Sequence, residues 1–235
     1  MKFEDITVKS KTQGKDSWCT GVTMADVNAD GFLDIYVCYS GDDKKENKGN
    51  ELYINNKDNT FTEKAAEYGL ADNGLTTHAS FFDYDLDGDL DCYVLNNSYK
   101  DPERITLSTR NTFDAEALGG DRLYENRDNK FVNVTKDAGI YSSDVGFGLG
   151  ISVGDVNGDF YPDLYISNDF WERDYLYINQ KNGTFKESLT DAMEYTSLAS
   201  MGSDIADLNN DGLLDIFSTD MLPPDNYRLK AATKF

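Results

Sequence analysis

Short apolar stretches alternate with turns rich in Gly, Asn and Asp along the whole chain. The apolar stretches favour Tyr, Ile, Val and Phe, the residues that fit a pleated and half-buried surface. No long stretch with a helical period of 3.6 interrupts them. Ala65 to Tyr68 and Lys136 to Ala138 each offer at most a helical turn. The pattern predicts an all-β protein.

The alternation is also periodic on a larger scale. One nine-residue pattern occurs four times, at residues 26–34, 83–91, 155–163 and 207–215, hereafter loops 1 to 4. Its start-to-start spacings are 57, 72 and 52 residues, which fits one four-stranded unit of about 40–50 residues per repeat, with insertions. The flanks repeat as well. Gly21, His78, Gly150 and Gly202 stand five residues before each loop. The pairs Ile35-Tyr36, Cys92-Tyr93, Leu164-Tyr165 and Ile216-Phe217 follow each loop. Three units continue with Leu52-Tyr53-Ile54-Asn55, Leu123-Tyr124-Glu125-Asn126 and Leu176-Tyr177-Ile178-Asn179, then a polar turn and Phe61, Phe131 or Phe185. Each unit therefore reads strand, acidic loop, strand, turn, strand, turn, strand. The predicted architecture is a partial β-propeller of about three full four-stranded blades and part of a fourth. It forms a single repeat domain over 1–235, with units near 15–70, 75–140, 145–192 and 197–235. Tyr99 to Gly120 is an insertion in the second unit, expected to be a surface loop.

Charge sharpens this picture. The net charge is −21. That excludes nucleic acid as a partner, because phosphate binding needs clustered Lys and Arg, and it disfavours an anionic membrane surface. With 39% hydrophobic and 13% aromatic residues, the chain still has enough apolar mass for a core, and disorder is not expected. No stretch approaches the roughly 18 apolar residues of a membrane span, and no signal peptide is visible. Three cysteines, Cys19, Cys38 and Cys92, form no CxxC pair, so zinc and redox motifs are absent.

The acids are clustered at the repeated spacing, and this is the chemistry of a hard cation. Calcium takes six to eight oxygens at about 2.3–2.6 Å. Side chains at loop positions 1, 3 and 5 converge, a carbonyl at position 7 joins them, and a carboxylate at position 9 closes the shell. Gly at position 6 allows the sharp turn. The expected ligands are Asp26, Asn28, Asp30, the Phe32 carbonyl and Asp34 in loop 1. In loop 2 they are Asp83, Asp85, Asp87, Asp89 at position 7, and Asp91. Loop 3 offers Asp155, Asn157, Asp159, Tyr161 and Asp163, and loop 4 offers Asp207, Asn209, Asp211, Leu213 and Asp215. Three to four calcium sites are expected. The plainer alternative is four solvated Asp-Gly turns. An EF-hand is rejected: position 12 is Val37, Val94, Ile166 or Ser218 rather than Glu, and strands flank the loops. Loop 3 has Phe160 at position 6 and Gly158 at position 4, so its turn is expected to differ.

The DxDxDGxxD loop, repeated with Leu-Tyr-x-Asn strands from about Phe3 onward, resembles the FG-GAP or VCBS repeat of integrin α subunits and many bacterial surface proteins. The stretch Asp220-Met221-Leu222-Pro223-Pro224-Asp225-Asn226-Tyr227-Arg228 is similar to large bacterial VCBS-repeat proteins that carry an ASPIC and UnbV module. The resemblance implies a propeller, usually of seven blades, in which calcium makes the blade hairpins rigid and is not catalytic. An open arc leaves blade faces uncovered. The chain is then a fragment of a longer protein, one of several copies that complete a ring, or a subunit that pairs head to tail.

Other residues are weighed against simpler roles. His78, the single histidine, has no nucleophile or acid arrangement beside it in the sequence, so no enzyme is expected. Cys92 occupies an apolar strand position and reads as core, and Trp18 is also expected in the core. A Cys19–Cys38 disulfide stays open. The polar stretch Asn168-Asp169-Phe170-Trp171-Glu172-Arg173-Asp174 is the expected contact surface for a partner. Sequons stand at Asn96, Asn133 and Asn182. The functional expectation is a calcium-stabilised extracellular interaction or adhesion module at the bacterial cell surface, binding an unidentified protein or carbohydrate. The alternatives are a structural subunit of an extracellular filament and a calcium-dependent polysaccharide-active enzyme. Extracellular calcium supply suits such sites, which places the protein outside the cell or on its surface.

Overall fold

The computed structural model describes residues 2–40, 49–98, 110–115, 117–170 and 172–221. Among them the fold is four antiparallel sheets in series. The first contains β1 (Trp18–Ala25), β2 (Asp34–Ser40), β3 (Glu51–Asn55) and β4 (Phe61–Glu63), paired in that order. The second contains β5 (Thr76–Phe82), β6 (Asp91–Asn96), β7 (Arg122–Asn126) and β8 (Phe131–Asn133). The third contains β9 (Gly148–Gly154), β10 (Asp163–Asn168), β11 (Tyr175–Asn179) and β12 (Phe185–Glu187). β13 (Ser200–Ala206) and β14 (Asp215–Asp220) form the last, a two-stranded sheet. Three one-turn helices accompany them: α1 (Thr7–Ser10), α2 (Ala65–Tyr68) and α3 (Leu189–Ala192). Only α2 was expected, and Lys136 to Ala138 is a turn. No helix among the described residues is long and apolar enough to cross a membrane.

The sheets pack face to face. Strand side chains alternate between faces, so in the first sheet Tyr36 and Cys38 point toward the second, where Cys92, Val94, Tyr124 and Phe131 meet them. Tyr93 and Leu95 of the second sheet point the other way and meet Leu164, Ile166 and Tyr177 of the third. Every residue of β6 and β10 is buried. Cys92 is in the core, as its place in the repeat predicted.

Gly21 and Gly150, five residues before loops 1 and 3, have a packing reason. Each lies on the first strand of its sheet, where adjacent sheets come close. A Cβ on Gly21 would sit 2.5 Å from the Thr77 carbonyl oxygen, and one on Gly150 would sit 3.0 Å from the Gly202 Cα. A bulge beside these positions aims Thr20 and Thr77 across the gap. The Thr20 hydroxyl donates to the Thr76 carbonyl at 2.6 Å and the Thr77 hydroxyl to the Gly148 carbonyl at 2.8 Å.

A second repeated device was missed in the sequence. Asn50, Asp121 and Asp174 each stand two residues before a Leu-Tyr pair. Each accepts the backbone N–H at the end of the second strand: Tyr39 at 2.8 Å, Asn96 at 2.9 Å and Asn168 at 2.8 Å. Each also bonds the tyrosine that follows the acidic loop. Tyr93 donates to Asp121 at 2.8 Å, Tyr165 donates to Asp174 at 2.6 Å, and Asn50 donates to the Tyr36 oxygen at 3.0 Å. The clamp satisfies a buried phenol and a strand-end amide together.

Several expectations are corrected. Trp18 is 72% exposed, because no sheet covers that side of β1 among the described residues. Cys19 and Cys38 are free thiols: the bulge pairs Cys38 with Gly21 and Cys19 with Tyr39. The insertion lies outside the described residues over 99–109 and at 116; residues 111, 112, 114, 115 and 118 are exposed, as expected of a surface loop, but Ala117, Gly119 and Gly120 at its close are packed. Ala117 is buried, and the buried Arg122 guanidinium donates to the Ala117 and Gly120 carbonyls. Asn96 is fully buried and donates to the Gly120 carbonyl, so that sequon is closed to modification. The ASPIC-associated stretch lies outside the described residues beyond Met221.

Burial pushes the Asp121 carboxyl up to about 7, against the bonds from Asn96 and Tyr93 and the Arg122 charge, which pull it down. Between the ordinary carboxylate range near pH 4 and pH 7, the folded protein holds a proton that the unfolded chain has lost. This contribution to stability is therefore complete below about pH 4 and is lost as pH rises through 7. D121N removes that dependence. Urea unfolding of both proteins should show wild type losing roughly 1–4 kcal/mol relative to the variant between pH 4 and 8. A pH-independent difference would place the Asp121 titration in the ordinary range.

Candidate functional site

All four acidic loops lie between the first two strands of a sheet, and they share one hydrogen-bonding scheme. The position 1 carboxylate accepts two backbone N–H groups, from positions 5 and 6. In loop 1 these are Asp30 at 2.9 Å and Gly31 at 2.7 Å to Asp26. In loop 2, Asp87 at 3.1 Å and Gly88 at 3.0 Å bond Asp83. In loop 3, Asp159 at 2.9 Å and Phe160 at 2.7 Å bond Asp155. In loop 4, Asp211 at 3.0 Å and Gly212 at 2.9 Å bond Asp207. Position 3 accepts from position 5, and position 5 accepts from position 7. These Asx-type bonds hold the loop shape by themselves.

Position 9 joins the loop to its sheet. One oxygen of Asp34, Asp91 and Asp163 accepts the N–H at position 2, from Val27, Tyr84 and Val156 at 3.0–3.1 Å. The other accepts the N–H of Asn55, Asn126 or Asn179 at 2.8 Å. Those asparagines reach further. The Asn126 amide donates to the Val27 carbonyl at 3.4 Å, and Asn179 to the Tyr84 carbonyl at 2.7 Å. Each ties its sheet to the loop of the sheet before it.

The turn of loop 3 does not differ, contrary to the expectation from Phe160. All four loops put positions 4 and 6 in the left-handed region. Loops 1, 2 and 4 do so with Ala29, Leu86 and Asn210 at φ 54°, 62° and 61°, followed by Gly31, Gly88 and Gly212. Loop 3 exchanges the roles, with Gly158 at φ 74° and Phe160 at φ 70°. Each loop thus has one residue without glycine's freedom in a strained position.

The loops differ in charge. In loop 2, carboxylate oxygens of Asp83, Asp85 and Asp91 lie within 4.8 Å of one another. Asp89 Oδ1 is buried with no hydrogen-bond partner. Burial, then the neighbouring Asp87, Asp85, Asp83 and Asp128, push the Asp89 carboxyl up to about 6. Burial pushes Asp91 up to about 7, and it raises Asp34 and Asp163 as well. Crowded, partly desolvated carboxylates of this kind form an all-oxygen donor set suited to a hard cation.

The repeats, loop geometry and sheet order decide the family. The FG-GAP-like repeat model matches residues 38–94 and 155–218, just over half of the chain. The protein belongs to the FG-GAP-like repeat family. Loops 2, 3 and 4 of this FG-GAP chain fall inside the matched residues, and loop 1 has the same bonds outside them. No curated protein matches the chain. Among solved structures, one similar in part is an Agrocybe aegerita lectin described as recognising non-reducing terminal N-acetylglucosamine. It is 18% identical, with a TM-score of 0.46, and the alignment covers 86% of this chain and 47% of that one. The chain thus spans about half the length of that structure.

The expected partner surface at 168–174 is largely closed. Trp171 lies outside the described residues. Asn168, Asp169, Glu172 and Asp174 are buried, and Glu172 pairs with Arg110. Phe170 is exposed and edge-on to Phe147.

Phe160 is 86% exposed, so its ring contributes little packing against its left-handed backbone. F160G should raise the unfolding free energy by about 1 kcal/mol in chemical denaturation. A loss of stability would mean that the ring is held by contacts the strain argument omits.

Proposed function

We propose that this chain is a calcium-stabilised β-propeller-type scaffold that works outside the cell, presenting its loops to a protein or carbohydrate partner. The observation that carries this reading is the loop repeated four times with Asp or Asn at positions 1, 3, 5 and 9, together with the gathered oxygens of Asp83, Asp85 and Asp91 and an unpartnered buried oxygen on Asp89 in loop 2. Asp83, Asp85, Asp87, Asp89 and Asp91 would hold an ion in loop 2, and the matching residues would hold one in loops 1, 3 and 4. When bound, calcium offsets the mutual repulsion of these carboxylates. The chain's own hydrogen bonds already shape the loops, so the metal's role is to stiffen what the backbone has built. Millimolar calcium outside cells suits modules of modest affinity. The fourth sheet would be the start of a fourth blade.

A non-catalytic role is part of this reading, and the positions of the titratable groups support it. His78 is half-buried on a first strand, where burial lowers its affinity for a proton. The loop carboxylates are bound to backbone amides. Thermal unfolding in millimolar calcium and in excess EDTA, with metal content measured on the same sample, tests the calcium reading. A site at about 100-fold saturation contributes about 2.7 kcal/mol, so a melting temperature several degrees higher in calcium is expected, with three to four ions bound. Identical melting curves and no bound metal would leave the loops as solvated turns.

A second reading, a subunit of a filament or surface assembly, is favoured by two sheet faces that nothing covers among the described residues. Val22 and Met24 are more than half exposed, at the repeat positions where Ala79 and Phe81 pack into a core. Leu208 and Phe217 are exposed where Val27 and Tyr36 are buried. Light scattering and electron microscopy over a concentration series should then show linear oligomers, and a strictly monomeric species would remove this reading.

A further inference from the structure

The four loops are not equivalent, and the difference lies outside the nine-residue pattern. Lys57 and Lys181 stand two residues after Asn55 and Asn179, in the polar turn of the third strand. Lys57 Nζ lies 3.3 Å from Asp30 Oδ2, and Lys181 Nζ lies 3.4 Å from Asp159 Oδ2. Each reaches the position 5 carboxylate of its own sheet's loop. The ring at position 7 also attracts each ammonium: Lys57 lies 5.3 Å from the Phe32 ring centre and Lys181 lies 5.5 Å from that of Tyr161. Loops 1 and 3 therefore share a two-part arrangement, an aromatic residue at position 7 and a lysine over it.

Loop 2 reverses both parts. Position 7 is Asp89, and the residue two after Asn126 is Asp128. No ion pair to Asp87 occurs among the described residues. Position 3 adds to the contrast, with Asp85 in loop 2 but Asn28 and Asn157 in loops 1 and 3. Loop 2 thus carries five carboxylates at its odd positions, against three in loops 1 and 3, each of which also has a cation beside it.

We propose that Lys57 and Lys181 hold loops 1 and 3 at lower calcium affinity than loop 2, so that the chain fills in order, with loop 2 first. This inference rests on the calcium reading of the loops. Its physics is charge count. Affinity in oxygen-ligand sites follows the number of charged ligands, and a divalent ion is repelled by a fixed ammonium twice as strongly as a monovalent one. The lysines are about half exposed, so the ion pairs themselves contribute little. Their effect falls on the incoming ion, and salt should screen it.

The test is a calorimetric calcium titration of the chelator-stripped protein at low ionic strength, with three variants beside wild type. Wild type should show one tight ion, on the order of tenfold tighter than the remainder. K57Q/K181Q should tighten the weak class by roughly three- to tenfold and leave the first ion unchanged. The reciprocal graft D89F/D128K should weaken the first ion by at least that factor. D85N should weaken it as well, without any added cation. Melting temperature in EDTA, measured for each variant, separates a folding defect from a binding effect. A wild-type isotherm with equivalent sites, or lysine variants that leave the weak class unmoved, would overturn the ordering while leaving calcium binding intact. No calcium uptake by any loop would instead overturn the calcium reading itself.

Discussion

β6 and β10 are apolar on both faces, and much of the architecture answers the need to cover them. A strand with one polar face can sit at a surface. A strand buried on both sides requires a sheet before it and a sheet after it. That demand fixes the face-to-face stacking and explains why Tyr93 and Val94, neighbours in sequence, belong to different cores. It also accounts for the partly exposed Ile35 and Val37 on β2, where no preceding sheet lies among the described residues. The first strands must then approach closely, which is why glycine recurs ahead of the loops.

Stacking alone would leave the polar atoms of tightly packed hairpins without partners. The repeat answers this with a small set of reused side chains. In loops 1 to 3, Asp at position 9 takes two amides from two segments of its own sheet. Asn50, Asp121 or Asp174 closes the opposite end of the sheet by binding a phenol and an amide. A carboxylate or side-chain amide at each end lets the middle of the sheet be largely apolar, because these strand-end amides do not depend on solvent for satisfaction. The acidity of the chain therefore has two sources. Some carboxylates are internal hydrogen-bond acceptors, and others crowd the loop tips.

The sequence carried the architecture openly where residues repeat at fixed offsets. The loop spacing, the strand after position 9, the Leu-Tyr-x-Asn strands and the opening phenylalanines all correspond to observed elements. The role of Asp121 was hidden because its counterparts are Asn50 and Asp174, so the position looks variable when residue identity is compared and is constant only in acceptor chemistry. Phe160 misled for a related reason. The loop needs two left-handed residues, and the glycine can serve either, so attention to position 6 alone missed the exchange with Gly158. Trp18 misled because burial is a property of neighbours: its strand has the right composition, but its outward side has no sheet against it. The stretch 168–174 looked exposed for its polarity, whereas Asp174 and Glu172 are polar because they are buried acceptors. Lys57 and Lys181 lie 27 and 22 residues beyond the loop aspartates they touch, farther than a local pattern displays.

The asparagine ties also have a direction. Asn126 reaches Val27 and Asn179 reaches Tyr84, always toward residues made earlier. Thr20 and Thr77 bond strands made later, but only once those strands exist. As a ribosome extends the chain from its N-terminus, each newly completed hairpin finds its docking face and its carbonyl already in place. Each sheet serves first as a product of assembly and then as the template for the next.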